Sequence, residues 1–373
     1  MEKRLLTICL YFLAVAACLA LGACAVFSHP RFGKLPQGER LGLVQRSLNY
    51  RDGEFRYPIA TPVFSKDVGL LSVLWSNHVA KAERLTPTAP IPAVKTDLKA
   101  LNPQEDAVVW LGHSSWFIQF GGRRILIDPV FSDYAAPFSF LNRAFAGTGI
   151  YGVEDMPEID CLLISHDHWD HLDFPTVTAL AAKVKRVICP LGVGAYFEQW
   201  GYPKEKIREG DWYDKVALDE DCFVHVLPAR HYSGRLRTRN RTLWAAFALE
   251  TPDLRIFISG DSGYGPHFSE IGAAFKGFDL ALLDCGQYDP RWAYIHMTPE
   301  EAAQAARDLG ARTLLPAHVG RFAIANHPWD EPFMRLTEAS RHQSYALVTP
   351  RMGEVVVPNN NVSRSSSWWR MRD

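Results

Sequence analysis

Leu5 to Ala23 runs without a single charge behind Met1-Glu2-Lys3-Arg4, a stretch of about 19 mostly apolar residues that roughly spans a bilayer as a helix. From residue 25 to about 100 that regularity is lost. Aromatic, Pro and Arg residues are scattered there with no sustained period, and Pro87, Pro90 and Pro92 mark a polyproline-II connector. From Ala107 to about Pro358, short apolar runs bounded by turn residues alternate with helical stretches, which predicts a mixed α/β domain. Runs ending at Ile164, Leu227, Ile258 and Leu315 read as strands. Thr298-Pro299-Glu300-Glu301 is a capping box with Pro at the first helical position, and the helix it starts should run to Leu309 before Gly310. The chain thus divides into a leading segment 1–24, an extension 25–100, a principal domain 101–358 and a polar tail 359–373. In the tail, Trp368-Trp369-Arg370 suits a membrane interface and suits packing back on the domain equally well. No short-period repeat is visible.

Composition narrows this. The 373 residues are 47% hydrophobic, enough for a large core. Lys plus Arg number 40 against 41 Asp plus Glu, and the basic excess of a nucleic-acid binder is absent. Leu21-Gly22-Ala23-Cys24 resembles a bacterial lipobox in which Cys24 would be lipidated; an uncleaved membrane anchor fits as well, and a plain secretion signal is the third reading. Each exports or tethers the domain, so the expected place is the bacterial cell envelope, membrane-tethered and facing the periplasm or exterior. Cys161, Cys189, Cys222 and Cys285 form no CxxC pair, which argues against a thiolate zinc site and leaves them as small core residues, with a disulfide left open.

The chemistry is concentrated after one apolar run. Leu162-Leu163-Ile164-Ser165 leads into His166-Asp167-His168-Trp169-Asp170-His171, four candidate ligands within six residues. A loop leaving a strand turns alternate side chains to one side, so His166 and His168 can grip one ion while Asp170 and His171 reach a second. Three more runs each end by delivering one good ligand: His231 after Leu227, Asp261 after Ile258, and His318 after Leu315. That is the pattern of a site at the carboxyl edge of a sheet. Asp261 can bridge two ions through its two oxygens. His225 lies inside its strand and reads as structural. Gly260-Asp261-Ser262-Gly263 mimics a serine-protease string, but the α/β pattern and the surplus of His ligands reject that reading.

The His166–His171 string resembles the HxHxDH motif of the metallo-β-lactamase superfamily in full. The resemblance implies an αββα four-layer sandwich with an N-terminal extension. It implies one metal on His166, His168 and His231, a second on Asp170, His171 and His318, and Asp261 between them. Longer strings are similar to the branch of N-acylphosphatidylethanolamine-hydrolysing phospholipase D and its bacterial relatives: Trp110-Leu111-Gly112-His113-Ser114-Ser115, Leu126-Ile127-Asp128-Pro129, Tyr288-Asp289-Pro290-Arg291-Trp292 and His318-Val319-Gly320-Arg321-Phe322 among them. His296 matches a substrate-contacting histidine of that branch. Trp169, a candidate substrate contact, stands where the mammalian enzyme has a substrate-contacting tyrosine, and Ile295 where it has a polar residue, which leaves the metal chemistry intact and the headgroup open. His113 and Asp128 are expected behind the ligands, orienting them by hydrogen bonds.

The implied reaction is hydrolysis by a metal-bridging hydroxide, with Asp170, Asp261 and His296 as the catalytic set and two divalent ions as cofactor. Histidine plus carboxylate suits zinc, and iron or manganese are allowed. A phosphodiester of an N-acylphosphatidylethanolamine or related phospholipid is the expected substrate. A lactone or ester is the alternative within the same fold, and a non-enzymatic metal-stabilised envelope protein the alternative outside catalysis.

Overall fold

The computed structural model describes residues 2–65, 68–69, 75, 81–235, 238–358 and 367–370. Its strands, in chain order, are a small hairpin β1 (Tyr50–Arg51) and β2 (Glu54–Phe55), then β3 (Ala107–Gly112), β4 (Ser115–Phe120), β5 (Arg123–Ile127), β6 (Cys161–Leu163), β7 (Val187–Pro190) and β8 (Ile207–Gly210). A second series follows: β9 (Lys215–Ala217), β10 (Phe223–Leu227), β11 (Ala246–Glu250), β12 (Arg255–Ile258), β13 (Phe278–Asp284), β14 (Ala311–Ala317) and β15 (Ala346–Leu347). The last strand, β16 (Val355–Val356), returns beside β3. The helices are α1 (Glu2–Phe27), α2 (Gly38–Arg46), α3 (Phe174–Leu180), α4 (Gly194–Gln199), α5 (His267–Phe275), α6 (Pro299–Asp308) and α7 (Glu331–Ala339).

Two seven-stranded sheets result, ordered β16-β3-β4-β5-β6-β7-β8 and β15-β14-β13-β12-β11-β10-β9. Each series begins with antiparallel strands and continues with parallel strands, most of which are joined through helices. Gly121-Gly122 makes the β4–β5 turn possible, since both residues have positive φ (53° and 76°), as the favoured two-residue hairpin turn demands. The two halves therefore share a topology that no residue repeat announces.

Strand alternation explains the layers. In β3, Val108 and Trp110 join the cluster between the sheets, while Val109 and Leu111 turn to the outer face. That outer face is covered by Val177 and Leu180 of α3 and Phe197 of α4. Phe268 of α5, Ala302 and Ala306 of α6 and Leu336 of α7 bury with the second sheet. Helix, sheet, sheet, helix is the expected four-layer sandwich.

α6 carries its predicted start. Thr298 Oγ accepts from the Glu301 N–H (3.2 Å), and Glu301 accepts from the Thr298 N–H (2.9 Å). It ends at Asp308, one residue short of the expected end, because Gly310 turns left-handed (φ 63°). The extension straps the body. Buried Arg40 of α2 pairs with Glu209 and with Glu198 (2.9 Å), and the fully buried Phe55 donates its N–H to the Asn240 carbonyl (2.7 Å). The Ile91 and Val94 N–H groups donate to the carbonyls of Ala146 and Met352, each at 2.8 Å. Trp368 and Trp369 pack back on the domain, 5.0 and 5.3 Å from the Phe333 ring, which decides between the two readings of that pair. Cys161, Cys189, Cys222 and Cys285 are free and buried.

Candidate metal centre

The carboxyl ends of β6, β10, β12, β13 and β14 open on one edge, and the side chains just beyond them converge there. His166, His168, His231 and Asp261 bring one donor atom each within 4.8 Å of one another; so do His113, Asp170, His171 and His318. Each group draws on both halves of the chain. In the first, His231 Nε2 lies 3.3 Å from His168 Nδ1 and 3.6 Å from Asp261 Oδ2, and His166 Nε2 lies 3.7 Å from that oxygen. In the second, Asp170 Oδ2 lies 2.9 Å from His318 Nε2 and 3.6 Å from His171 Nε2. Asp261 reaches both groups, with Oδ1 3.0 Å from His171 Nε2 and Oδ2 3.4 Å from His318 Nε2.

The backs of the rings explain their aim. A carboxylate only accepts, so the nitrogen facing it from behind carries a proton and the opposite nitrogen is the one turned toward the site. His171 Nδ1–H donates to Asp128 (2.8 Å), and Asp128 also accepts from the Ser165 N–H (2.7 Å) and Oγ–H (2.6 Å). His231 Nδ1–H donates to the Ile295 carbonyl (2.9 Å). His166 Nδ1–H donates to Ser165 Oγ (3.0 Å). His318 Nδ1–H donates to Asp284 (3.2 Å). His168 alone is reversed, presenting Nδ1 inward. His113 Nε2–H donates to Asp170 (3.0 Å), a hydrogen bond that orients this candidate ligand. His113, Asp128 and His318 all hold positive φ (54°, 41° and 62°), an uncommon backbone state that tends to mark functional positions.

Charge divides the groups. Burial pushes the His166 and His231 imidazoles well below their usual range and His168 down to about 4, so the first group offers neutral rings. Burial acts on His171 and His318 too, but there the carboxylates win. Asp261, Asp170 and Asp128 lift His171 well above its usual value, and Asp261 and Asp284 lift His318 to about 10. Against the cost of burial, His171 and its neighbours hold the Asp170 and Asp261 carboxyls well below theirs.

The residues fit metal ions. His166 Nε2 is buried without a hydrogen-bond partner among the described residues, an arrangement that costs roughly 1–3 kcal/mol unless something accepts its lone pair. Bonds of about 2.0–2.3 Å put neighbouring donors on one ion roughly 3–3.8 Å apart, the range found here.

Two residues lay outside the sequence reading. Asp284, fully buried at the end of β13, accepts from His318 and from His296 Nδ1–H (2.7 Å), setting two rings at once. Its signal was present, an apolar run ending in a carboxylate. Asp167 faces away from the ligands and accepts from Tyr196 OH (2.8 Å), Thr242 Oγ1 (3.0 Å) and the Gly234 N–H (2.6 Å), which fixes the ligand loop. His296 stands 4.9 Å from the His231 ring and 5.0 Å from that of His318. Trp169 turns its ring to Phe32 (5.4 Å) and lies beneath the Arg235 guanidinium (4.2 Å). His225 bonds Glu250 (2.9 Å).

Comparison with known proteins agrees with this geometry. The family model described as a beta-lactamase superfamily domain matches residues 123–319, which span β5 to the His318 turn. The chain belongs to the metallo-β-lactamase superfamily. It is a metal-dependent hydrolase of that fold with candidate His/Asp metal sites. Among members, an uncharacterised protein of Mycobacterium tuberculosis is 39% identical over 331 residues, 88% of each chain. An N-acyl-phosphatidylethanolamine-hydrolyzing phospholipase D of Caenorhabditis elegans is 30% identical over 264 residues, 66% of this chain and 74% of that one. Igni18, a metallo hydrolase from Ignicoccus hospitalis, superposes with a TM-score of 0.52 at 18% identity over 67% of this chain and 97% of its own, a likeness of fold.

Proposed function

We propose that this metallo-β-lactamase-fold protein is a phosphodiesterase of phospholipase D type, acting on N-acylphosphatidylethanolamine or a related phospholipid at the bacterial cell envelope. The observation that carries the reading is a small apolar cluster next to the candidate ligands. Trp292, Ile295 and Ala325 bury together with Val63, Phe64 and Tyr232 packed on them, and two of these residues adjoin His231 and His296 in sequence. A diester headgroup over the metal ligands with an acyl chain toward that cluster suits an amphiphile. The resemblance of the Tyr288–Trp292 and His318–Phe322 strings to the phospholipase branch points the same way.

His166, His168 and His231 would hold one ion and Asp170, His171 and His318 a second, with Asp261 shared. Bound divalent ions, zinc in this reading, supply an acidified water for attack and a sink for charge on the leaving oxygen. The chain supplies the rest. Asp284 fixes the His296 ring, so its other edge can meet the phosphoryl oxygens as charge builds there. Asp128, Ser165 and the Ile295 carbonyl keep the ligand rings from rotating, so little reorganisation is needed at reaction. α1 is the tether: its segment Leu10–Phe27 is apolar and long enough to cross a membrane, with none of its described residues buried in the body.

Purified, zinc-loaded full-length protein should release phosphatidic acid from N-acylated phosphatidylethanolamine in mixed micelles, and Asp170→Asn should lower turnover at least about a hundredfold. Hydrolysis of lactones with no phosphatidic acid released would transfer the assignment to the lactone/ester reading.

A further inference from the structure

α1 leaves the body beside the metal centre, and its foot is tied there by several independent contacts. Arg235, buried, donates from Nε to the Asp167 carbonyl (2.6 Å) and from Nη1 to the Arg31 carbonyl (2.7 Å), joining the ligand loop to the chain just after the helix. Trp200 Nε1–H donates to the Pro30 carbonyl (2.8 Å), and the Phe27, Phe32 and Trp169 rings follow one another edge to face at 5.3 and 5.4 Å. The end of a membrane-length helix is thus held against the loop that carries His168 and Asp170.

The same foot reaches a second surface. Arg31 Nη1 donates to the Pro137 carbonyl (2.8 Å), at the base of a loop whose tip stacks Phe138 on Phe140 at 5.7 Å. Phe140 is 72% exposed and Leu141 38%. Lys34 and Arg143, both exposed, stand on the two segments that meet there. Large apolar side chains flanked by cations suit the boundary between headgroups and acyl chains. The four residue-to-residue steps from Phe27 to Arg31 span at most about 14 Å of chain. If α1 crosses the bilayer, the loop base therefore lies within reach of the headgroup layer, which is roughly 5–8 Å deep on each side of the hydrocarbon.

We propose that Phe140 and Leu141 dock into the headgroup layer of the bilayer that α1 crosses, so that the metal centre faces that membrane surface. The partner is a lipid surface. The inference rests on α1 as a membrane tether, and it adds which face of the hydrolase meets the lipid. A diester in the bilayer is then approached where it lies.

The test uses full-length protein in vesicles of phosphatidylethanolamine and phosphatidylglycerol, with Cys9, Cys18 and Cys24 changed to Ser and an environment-sensitive fluorophore on Leu141→Cys. A control label goes on Glu220→Cys, before β10 and so at the opposite end of the strand that leads to His231. Lipids bearing a nitroxide near the headgroup should quench the Leu141 label at least threefold more than the Glu220 label. Equal quenching of the two overturns the proposal. Blue-shifted Leu141 emission without lipid quenching assigns the patch to a protein partner or a second copy, and overturns it too. The readout is independent of catalysis: strong quenching with no phospholipid turnover leaves the docking standing and removes the phospholipase reading. Where turnover is present, Phe140→Asp with Leu141→Asp should lower hydrolysis of vesicle-borne diester at least fivefold and leave a water-soluble diester unchanged.

Discussion

At the scale of single residues, the ligand rings divide by who holds a proton before metal arrives. His318, lifted to about 10 by Asp261 and Asp284 against the effect of burial, and His171, lifted well above its usual value, are imidazolium near neutral pH in the metal-free site. A metal must displace both protons, so its apparent affinity rises with pH, about tenfold per unit for each proton displaced. Calorimetric titration with zinc near pH 7, in buffers of different ionisation enthalpy, should count about two protons released from these rings, and one fewer in His318→Asn. A count unchanged by that substitution would remove the argument. The sign for metal-free stability is opposite. His318 contributes stability fully below its unfolded value, and that contribution is lost as pH rises through about 10. Asp284 is the second residue to test. It holds the Nδ1 protons of both His296 and His318, and its conversion to Asn replaces a charged acceptor by a neutral one. Zinc affinity should fall about 10–100-fold with the fold intact, measured by competition with a chromogenic chelator.

At the scale of elements, the strand-end rule accounts for what could be read and what could not. His166 to His171, His231, Asp261 and His318 were legible because each follows an apolar run and each is a residue type that metals prefer. Asp284 obeys the same rule at the end of Leu280-Ala281-Leu282-Leu283, yet a lone carboxylate after a strand carries no ligand spacing to single it out. Asp167 was hidden inside the motif that made its neighbours visible; only the fold reveals that it turns outward to Tyr196 and Thr242. The extension was opaque because its anchors are aperiodic and distant: Arg40 meets Glu209 and Phe55 meets Asn240, pairings that no local pattern encodes. The α6 cap was fully legible, since both partners lie within three residues. Removing it with Thr298→Ala should cost about 1 kcal/mol. In differential scanning calorimetry of the metal-loaded protein that is a fall in Tm of about 2 °C. Thr298→Ser, which keeps the acceptor oxygen, should restore most of it.

At the scale of the molecule, the centre sits on the seam between two topologically alike halves. β3 to β8 lead to His166, His168, Asp170 and His171; β9 to β15 lead to His231, Asp261 and His318. Each of the two donor groups takes members from both sheets, so bound metal ties the halves together from one edge while the shared core, which includes Trp110 and Trp116 of the first sheet and Phe247 of the second, holds them from within. Without metal the seam also carries a cost, because His166 Nε2 is buried without a hydrogen-bond partner among the described residues. Metal that binds only the folded chain stabilises it by mass action, about 4 kcal/mol when free metal stands a thousandfold above its Kd. Chelation should therefore lower Tm by several degrees. Hydrogen exchange, followed by peptide mass spectrometry, should rise together in the segments after β6 and after β14, although they belong to different sheets. Faster exchange after β6 alone would mean that the ions sit within the first half, and the seam would then owe its closure to the core.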